Sequence, residues 1–147
     1  MLVDDHPAVR RGLALVLEAE GLGSCLEAAS CAEAVQMARN ERLDLAMVDL
    51  SMDDKDTFAL IAELREMRIP VLVCSLAEDP ARVKQALAAG AQGYITKPEA
   101  PLAVARAVRA VLEGWLLVSP RAAEGLDEER RRSFASSHPT EPRGPGR

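Results

Sequence analysis

The feature of this sequence that most restricts its fold is the alternation of short apolar runs with segments of helical period. This alternation repeats five times before residue 114. Short strands that are apolar throughout, each followed by a helix, are typical of a parallel sheet covered by helices on both faces. Right-handed crossovers would make that sheet doubly wound. The predicted fold class is therefore α/β, with strands at Leu2–Val3, Ser24–Ala28, Leu43–Leu50, Val71–Ser75 and Gly93–Thr96.

The helices are predicted from the same period and from signals at their ends. Ser30 is placed to cap the second helix, and Glu33 completes a capping box. Asp79 and Pro80 supply the cap and the first position of the fourth helix, which Gly90 ends. The predicted helices are Pro7–Ala19, a segment from the Ser30 cap to about Asn40, Phe58–Met67, a segment from Pro80 to Gly90, and Pro101–Glu113.

Composition supports one globular domain. Apolar residues make up 48% of the 147 residues and aromatic residues only 3%, so aliphatic side chains must fill the core. No apolar run reaches the roughly 20 residues of a membrane span and no signal peptide is visible, so we expect a cytoplasmic protein without membrane contact. Cys25, Cys31 and Cys74 form no CxxC pair, and we expect them to be buried thiols.

The chain divides into an acidic domain and a short tail. Residues 1–120 carry 12 basic and 18 acidic side chains, and we do not expect such a domain to bind DNA by itself. Residues 121–147 are predicted to form a short helical extension and a disordered tail. The tail prediction depends on the charged run Asp127–Arg132 and on a following stretch rich in Ser, Pro and Gly.

Polar side chains stand at the carboxyl ends of four predicted strands, where open α/β sheets bind ligands. They are Asp4 and Asp5, Asp49, Ser75 and Lys97. Carboxylates gathered in one crevice repel one another unless a cation is present, and hard oxygen ligands select Mg²⁺. A carboxylate, a metal ion, a hydroxyl and an ammonium group are together suited to phosphoryl transfer.

These motifs, as an ordered set, resemble bacterial response-regulator receiver domains over about residues 1–120. The resemblance is carried by Leu2–Pro7, by the strand that ends in Asp49, by Ser75 and by Gly93–Pro98. It implies a flavodoxin-like, five-stranded sheet of order 2-1-3-4-5 with helices on both faces. The stretches His6–Pro7, Ala89–Tyr94 and Gly114–Pro120 are similar to the branch usually joined to a LuxR-type helix-turn-helix, which this sequence is expected to lack.

The resemblance also implies residue roles. Asp49 would be the phosphoacceptor, and Mg²⁺ would be held by Asp5, Asp49 and the Ser51 carbonyl, with Asp4 acting through a metal-bound water. Ser75 would be the switch hydroxyl, Tyr94 would reorient with it, and Lys97 would contact the phosphate.

The implied function is that of a phosphoacceptor in two-component signalling, and not of an enzyme in its own right. The expected phosphodonor is a sensor histidine kinase that docks near the first helix. A homodimer could form through helix 4, strand 5 and helix 5, or through helices 1 and 5. One alternative is a truncated DNA-binding regulator. A weaker one is a metal-dependent phosphatase, against which Ser51 argues because that chemistry needs a second acid at position 51.

Several residues depart from the family pattern or have open roles. Thr57 stands where the family usually has glycine, so we expect a different turn without positive φ at this position. Leu76 replaces a small residue after Ser75, and our hypothesis is that it slows phosphotransfer. His6 is expected to be a surface residue, and Trp115 to anchor the core or an interface.

Overall fold

The computed structural model describes residues 1–53, 56–76, 79–96, 101–120 and 122–124, and of Pro101 the backbone only. Strands and helices alternate along the chain as the sequence predicts. They are β1 (Leu2–Val3), α1 (Pro7–Ala19), β2 (Glu27–Ala28), α2 (Cys31–Asn40), β3 (Ala46–Val48), α3 (Thr57–Glu66), β4 (Val71–Ser75), α4 (Pro80–Ala89), β5 (Gly93–Thr96), α5 (Pro101–Leu112) and β6 (Leu117–Val118).

The sheet has six parallel strands in the order β2-β1-β3-β4-β5-β6. The predicted order 2-1-3-4-5 is confirmed, but the predicted count of five strands was wrong. Gly114, with φ of +92°, lies where the chain turns back after α5, and the Leu117 N–H then donates to the carbonyl of Gln92. β6 therefore joins the sheet through a pairing with β5 that depends on this turn.

Two predicted strands are shorter than expected. Ser24–Ala28 pairs only at Glu27–Ala28, and Leu43–Leu50 is extended only at Ala46–Val48. β2 pairs only with β1, which has two residues, so β2 finds backbone partners over only that length. β3 pairs with β4 over Ala46–Val48, and its pairing with β1 covers Met47 and Val48.

The core consists of two apolar clusters, one on each face of the sheet. Successive residues of β4 alternate between them, since strand side chains point to opposite faces. Val71 and Val73 pack on the face covered by α2, α3 and α4, whereas Leu72 and Cys74 pack on the face of α1 and α5. The doubly wound arrangement is therefore confirmed.

The helix ends use the predicted capping residues. Ser30 Oγ accepts a hydrogen bond from the Glu33 N–H at 3.2 Å, and the Glu33 carboxylate accepts one from the Ala29 N–H at 3.0 Å. Asp79 accepts from the Ala81 N–H at 3.1 Å, and Gly90 ends α4 with φ of +116°. These caps satisfy backbone groups that have no partner within the helix.

Four further predictions concern a membrane span, the cysteines, Trp115 and the tail. Within the described ranges, no helix is long and apolar enough to cross a bilayer. Cys31 and Cys74 are buried, Cys25 is half-buried, and all three remain thiols. Trp115 is 67% exposed, so it is not a core residue. The predicted tail beyond residue 124 lies outside the described residues, while Ala122 is buried in the core.

Candidate functional site

Two buried carboxylates mark the carboxyl edge of the sheet. Asp4 follows β1 and Asp49 follows β3, and each is only 3% exposed. The Asp4 N–H donates to the Ala28 carbonyl and the Asp49 N–H donates to the Val3 carbonyl, so parallel pairing brings both residues to the same edge. The sequence prediction that separated acids meet here is confirmed for these two residues.

The carboxylates of Asp4, Asp5 and Asp49 converge with the ring of His6. One ligand atom from each of the four residues lies within 4.8 Å of the others. Asp4 Oδ1 accepts the His6 N–H at 2.8 Å, which orients the start of α1, and lies 3.2 Å from His6 Nδ1. His6 is largely exposed, as predicted, yet its ring nitrogen faces the carboxylates, which sequence reasoning missed.

This donor set fits a divalent cation. Three carboxylates, two of them almost fully buried, concentrate negative charge that an ion would offset. Oxygen ligands of this kind are those that Mg²⁺ prefers. Asp4, Asp5 and Asp49 could therefore hold a Mg²⁺ ion.

The loop after β3 wraps around this cluster. The Ser51 N–H donates to Asp49 Oδ1 at 2.8 Å, and the Asp53 N–H donates to Asp5 Oδ2 at 3.2 Å. Ser51 Oγ lies 2.9 Å from Ser75 Oγ at the end of β4. Sequence reasoning assigned only the Ser51 carbonyl a role and missed this contact between hydroxyls.

Tyr94 in β5 is fully buried next to Ser75. Burial raises the pKa of its phenol, while a hydrogen bond with Ser75 and the charge of Arg82 act to lower that pKa. The predicted pair of Ser75 and Tyr94 is thus in contact, and the structure connects it to the loop that follows Asp49.

Arg82 is a further residue of this region that the sequence did not reveal. Its Nη2 donates to the Leu50 carbonyl at 2.9 Å, and its guanidinium lies 6.0 Å from the centre of the Phe58 ring. Its Nε is buried and has no hydrogen-bond partner among the described residues. An arginine in the first turns of an amphipathic helix reads as a surface residue, so no sequence signal pointed to this contact.

The remaining site predictions have mixed outcomes. Lys97 lies outside the described residues, as does Asp54. Thr57 is the first residue of α3 and is buried. Its φ is not positive, since Arg68 is the only non-glycine residue with positive φ in the described ranges, so the prediction for Thr57 is confirmed. Leu76 follows β4 and is 64% exposed.

Comparison with known proteins identifies what this arrangement resembles. Residues 1–109 match the family of the response regulator receiver domain. The chain is 37% identical over 143 residues to the DNA-binding transcriptional activator DevR/DosR of Mycobacterium tuberculosis, a match that covers 94% of this chain and 65% of that protein. It is 40% identical over 119 residues to the transcriptional activator protein ExaE of Pseudomonas putida, covering 78% and 55% respectively.

A solved structure shows the same fold. A two-component response regulator of the LuxR family from Aurantimonas superposes with a TM-score of 0.83 at 31% identity, covering 89% of this chain and 96% of that one. The chain spans only 65% and 55% of the length of the two activators named above.

Proposed function

The chain belongs to the family of response regulator receiver domains, and on this premise we propose that it accepts a phosphoryl group on the carboxylate of Asp49. Receiver domains act in signalling and are not classical enzymes. The single observation that supports Asp49 as the acceptor is its burial at the end of β3, within 4.8 Å of ligand atoms of Asp4 and Asp5.

The proposed step is a transfer between two protein side chains. An Asp49 oxygen attacks phosphorus in a phosphohistidine of a sensor kinase, the P–N bond breaks, and the imidazole leaves and takes up a proton. The product at Asp49 is an acyl phosphate. Asp5, Asp49 and the Ser51 carbonyl, together with Asp4, would hold Mg²⁺, whose charge would offset that of the phosphoryl oxygens.

The surrounding side chains would position the group and respond to it. The Ser51 N–H, which donates to Asp49 Oδ1, fixes the rotation of the carboxylate. We propose that the Ser75 hydroxyl turns from Ser51 to a phosphoryl oxygen and that Tyr94 reorients with it. Lys97, from its place in the sequence, would pair with another phosphoryl oxygen.

Phosphorylation would then change protein contacts. Receiver domains interact with histidine kinases and can dimerise. Among the described residues, α1 and α5 carry exposed large apolar side chains whereas α4 carries none, which favours the face of α1 and α5 for a homodimer. The side chains concerned are Val9, Leu15, Leu102 and Leu112.

A second candidate function is control of transcription as part of a longer DNA-binding protein. The observation that favours it is that matched relatives are named transcriptional activators and extend well beyond the matched region. Residues 1–120 are acidic, so we expect no DNA binding by the chain as given. Gel-shift measurements with promoter DNA, with and without phosphorylation, test this expectation.

The central test is incubation with acetyl phosphate and Mg²⁺ followed by intact mass measurement. We expect the mass of one phosphoryl group to be gained by the wild type and none by Asp49→Asn. Asp53→Asn is a matched control, since Asp53 is an exposed acid in the same loop, and this variant should still be phosphorylated. Equal phosphorylation of Asp49→Asn and wild type would disprove the assignment.

A further inference from the structure

The ring of His6 lies among the carboxylates of the site, and its Nδ1 is hydrogen-bonded to Asp4 Oδ1. Its Nδ1 lies 2.8 Å from Asp5 Oδ1 and 3.2 Å from Asp4 Oδ1. The side chain is 63% exposed, so burial does not force the ring toward the acids. A solvated histidine at a helix start could equally point into water.

His6 Nδ1 and Asp5 Oδ1 are about as far apart as two ligands of one metal ion, but they are not aligned for a hydrogen bond. Asp5 Oδ1 is buried and, in the part of the chain that the structure describes, has no hydrogen-bond partner despite the nearby ring nitrogen. Two ligands at right angles around an ion, each about 2.1 Å from it, are about 3 Å apart. The distances from His6 Nδ1 to both carboxylates are close to this value.

We propose that His6 is a nitrogen ligand in this site, so that the site binds divalent transition metals more tightly than carboxylates alone would. The inference rests on the proposed function, because it assumes that the carboxylates hold an ion. Nδ1 would bind as the neutral imidazole with its proton on Nε2. His6 would then bind the ion together with Asp5 and Asp49, next to Asp4.

The chemistry of the donor makes the effect specific to the metal. Imidazole nitrogen suits Ni²⁺, Cu²⁺ and Zn²⁺, whereas Mg²⁺ prefers oxygen and keeps several of its waters. Loss of His6 should therefore weaken Ni²⁺ binding and leave Mg²⁺ binding almost unchanged. If His6 only bridges the two carboxylates by hydrogen bonds, its loss would affect both ions in the same way.

The test compares Ni²⁺ and Mg²⁺ binding by isothermal titration calorimetry in an untagged chain at one fixed pH. All variants carry His138→Gln, which removes the other histidine of the sequence. We expect His6→Gln to lower the Ni²⁺ affinity by more than about tenfold. Loss of a residue that only supports a metal ligand already lowers metal affinity by about 10–100-fold. Circular dichroism should show an unchanged fold, since His6 is mostly exposed.

A spectroscopic measurement identifies the ligand directly. With Cu²⁺ as the probe, pulsed electron paramagnetic resonance should show modulation from an imidazole nitrogen in the His138→Gln background. This modulation should be absent after His6→Gln. Its persistence would overturn the inference, as would an equal change, or no change, in the two calorimetric affinities.

Asp5→Asn separates this inference from the proposed function. Loss of Mg²⁺ binding in Asp5→Asn, together with Ni²⁺ binding that does not depend on His6, would overturn only the role of His6. A chain that binds neither ion, with all its carboxylates intact, would overturn the proposed metal site and the inference together.

Discussion

The hydroxyl of Ser51 lies 2.9 Å from the hydroxyl of Ser75 and joins the loop after Asp49 to the end of β4. Ser75 is fully buried and is also hydrogen-bonded to Tyr94. A change at Asp49 that drew Ser75 away from Ser51 would therefore alter the surroundings of a buried aromatic ring. The contact provides a physical connection between the proposed phosphoacceptor and the interior of the sheet.

The Ser51–Ser75 contact can be measured with a double-mutant cycle. We expect Ser51→Ala and Ser75→Ala each to lower the free energy of unfolding, with an interaction energy of about 0.5–1.5 kcal/mol for the shared hydrogen bond. Urea unfolding of the two single variants and the double variant gives this value. Strictly additive effects would show that the two hydroxyls are near each other without stabilising the fold.

Tyr94 should make stability depend on pH in the alkaline range. Burial raises the pKa of its phenol above the ordinary value of 10.0, so the folded state favours the protonated form. The contribution of this phenol to the free energy of unfolding is complete below about pH 10 and is lost as the pH rises through the folded-state pKa. Tyr94 is the only tyrosine, so tyrosinate absorbance reports its titration directly.

Tyr94→Phe is the matched variant for this measurement. Urea midpoints recorded from neutral to alkaline pH should fall more steeply for the wild type than for Tyr94→Phe, because the variant has no phenol to ionise. Parallel curves for the two proteins would contradict the expected role of the buried phenol.

The sequence predicted the elements that carry strong local signals and missed contacts that depend on packing. Asp4 and Asp49 could be placed together because parallel strands bring their carboxyl ends to one edge. Arg82 could not, since only the packing of α4 brings its guanidinium to the Leu50 carbonyl. β6 was missed for a similar reason, because its two residues pair only after Gly114 turns the chain back.

Arg82 should stabilise the loop that follows Asp49. Its Nη2 donates a charge-assisted hydrogen bond to the Leu50 carbonyl, and the side chain is half-buried. We expect Arg82→Gln to lower the free energy of unfolding by about 1–2 kcal/mol. It should also raise the pKa of Tyr94 further, because the positive charge of Arg82 acts to lower it.

Arg82→Lys separates the two effects of the arginine. Lysine retains the charge but not the planar guanidinium, so the Tyr94 titration should stay closer to that of the wild type than in Arg82→Gln. Tyrosinate absorbance measures the titration and urea unfolding measures the stability. Identical Tyr94 titrations in Arg82→Gln and wild type would disprove the electrostatic part of this prediction.

A side chain at Gly93, the first residue of β5, should destabilise the fold. A Cβ atom there would lie 2.6 Å from Leu72 Cδ1 and 3.1 Å from Val111 Cγ2. We expect Gly93→Ala to destabilise the fold by about 1–3 kcal/mol through overpacking. Gly12→Ala is the control: in α1 a new Cβ meets nothing within 4 Å, and alanine should stabilise that helix by about 0.5–1 kcal/mol. Thermal unfolding of both variants tests the contrast.

Leu76 should limit access to Asp49 from the end of β4. It follows the buried Ser75 directly and is 64% exposed. We expect Leu76→Ala to raise the rate of phosphorylation by acetyl phosphate about two- to tenfold, which corresponds to about 0.4–1.4 kcal/mol in the barrier. The rate is followed by intact mass at fixed Mg²⁺ concentration. Leu15→Ala is the control, because it removes an exposed leucine from α1 and should leave the rate unchanged. Equal rates for Leu76→Ala and wild type would refute the hypothesis that Leu76 slows phosphotransfer.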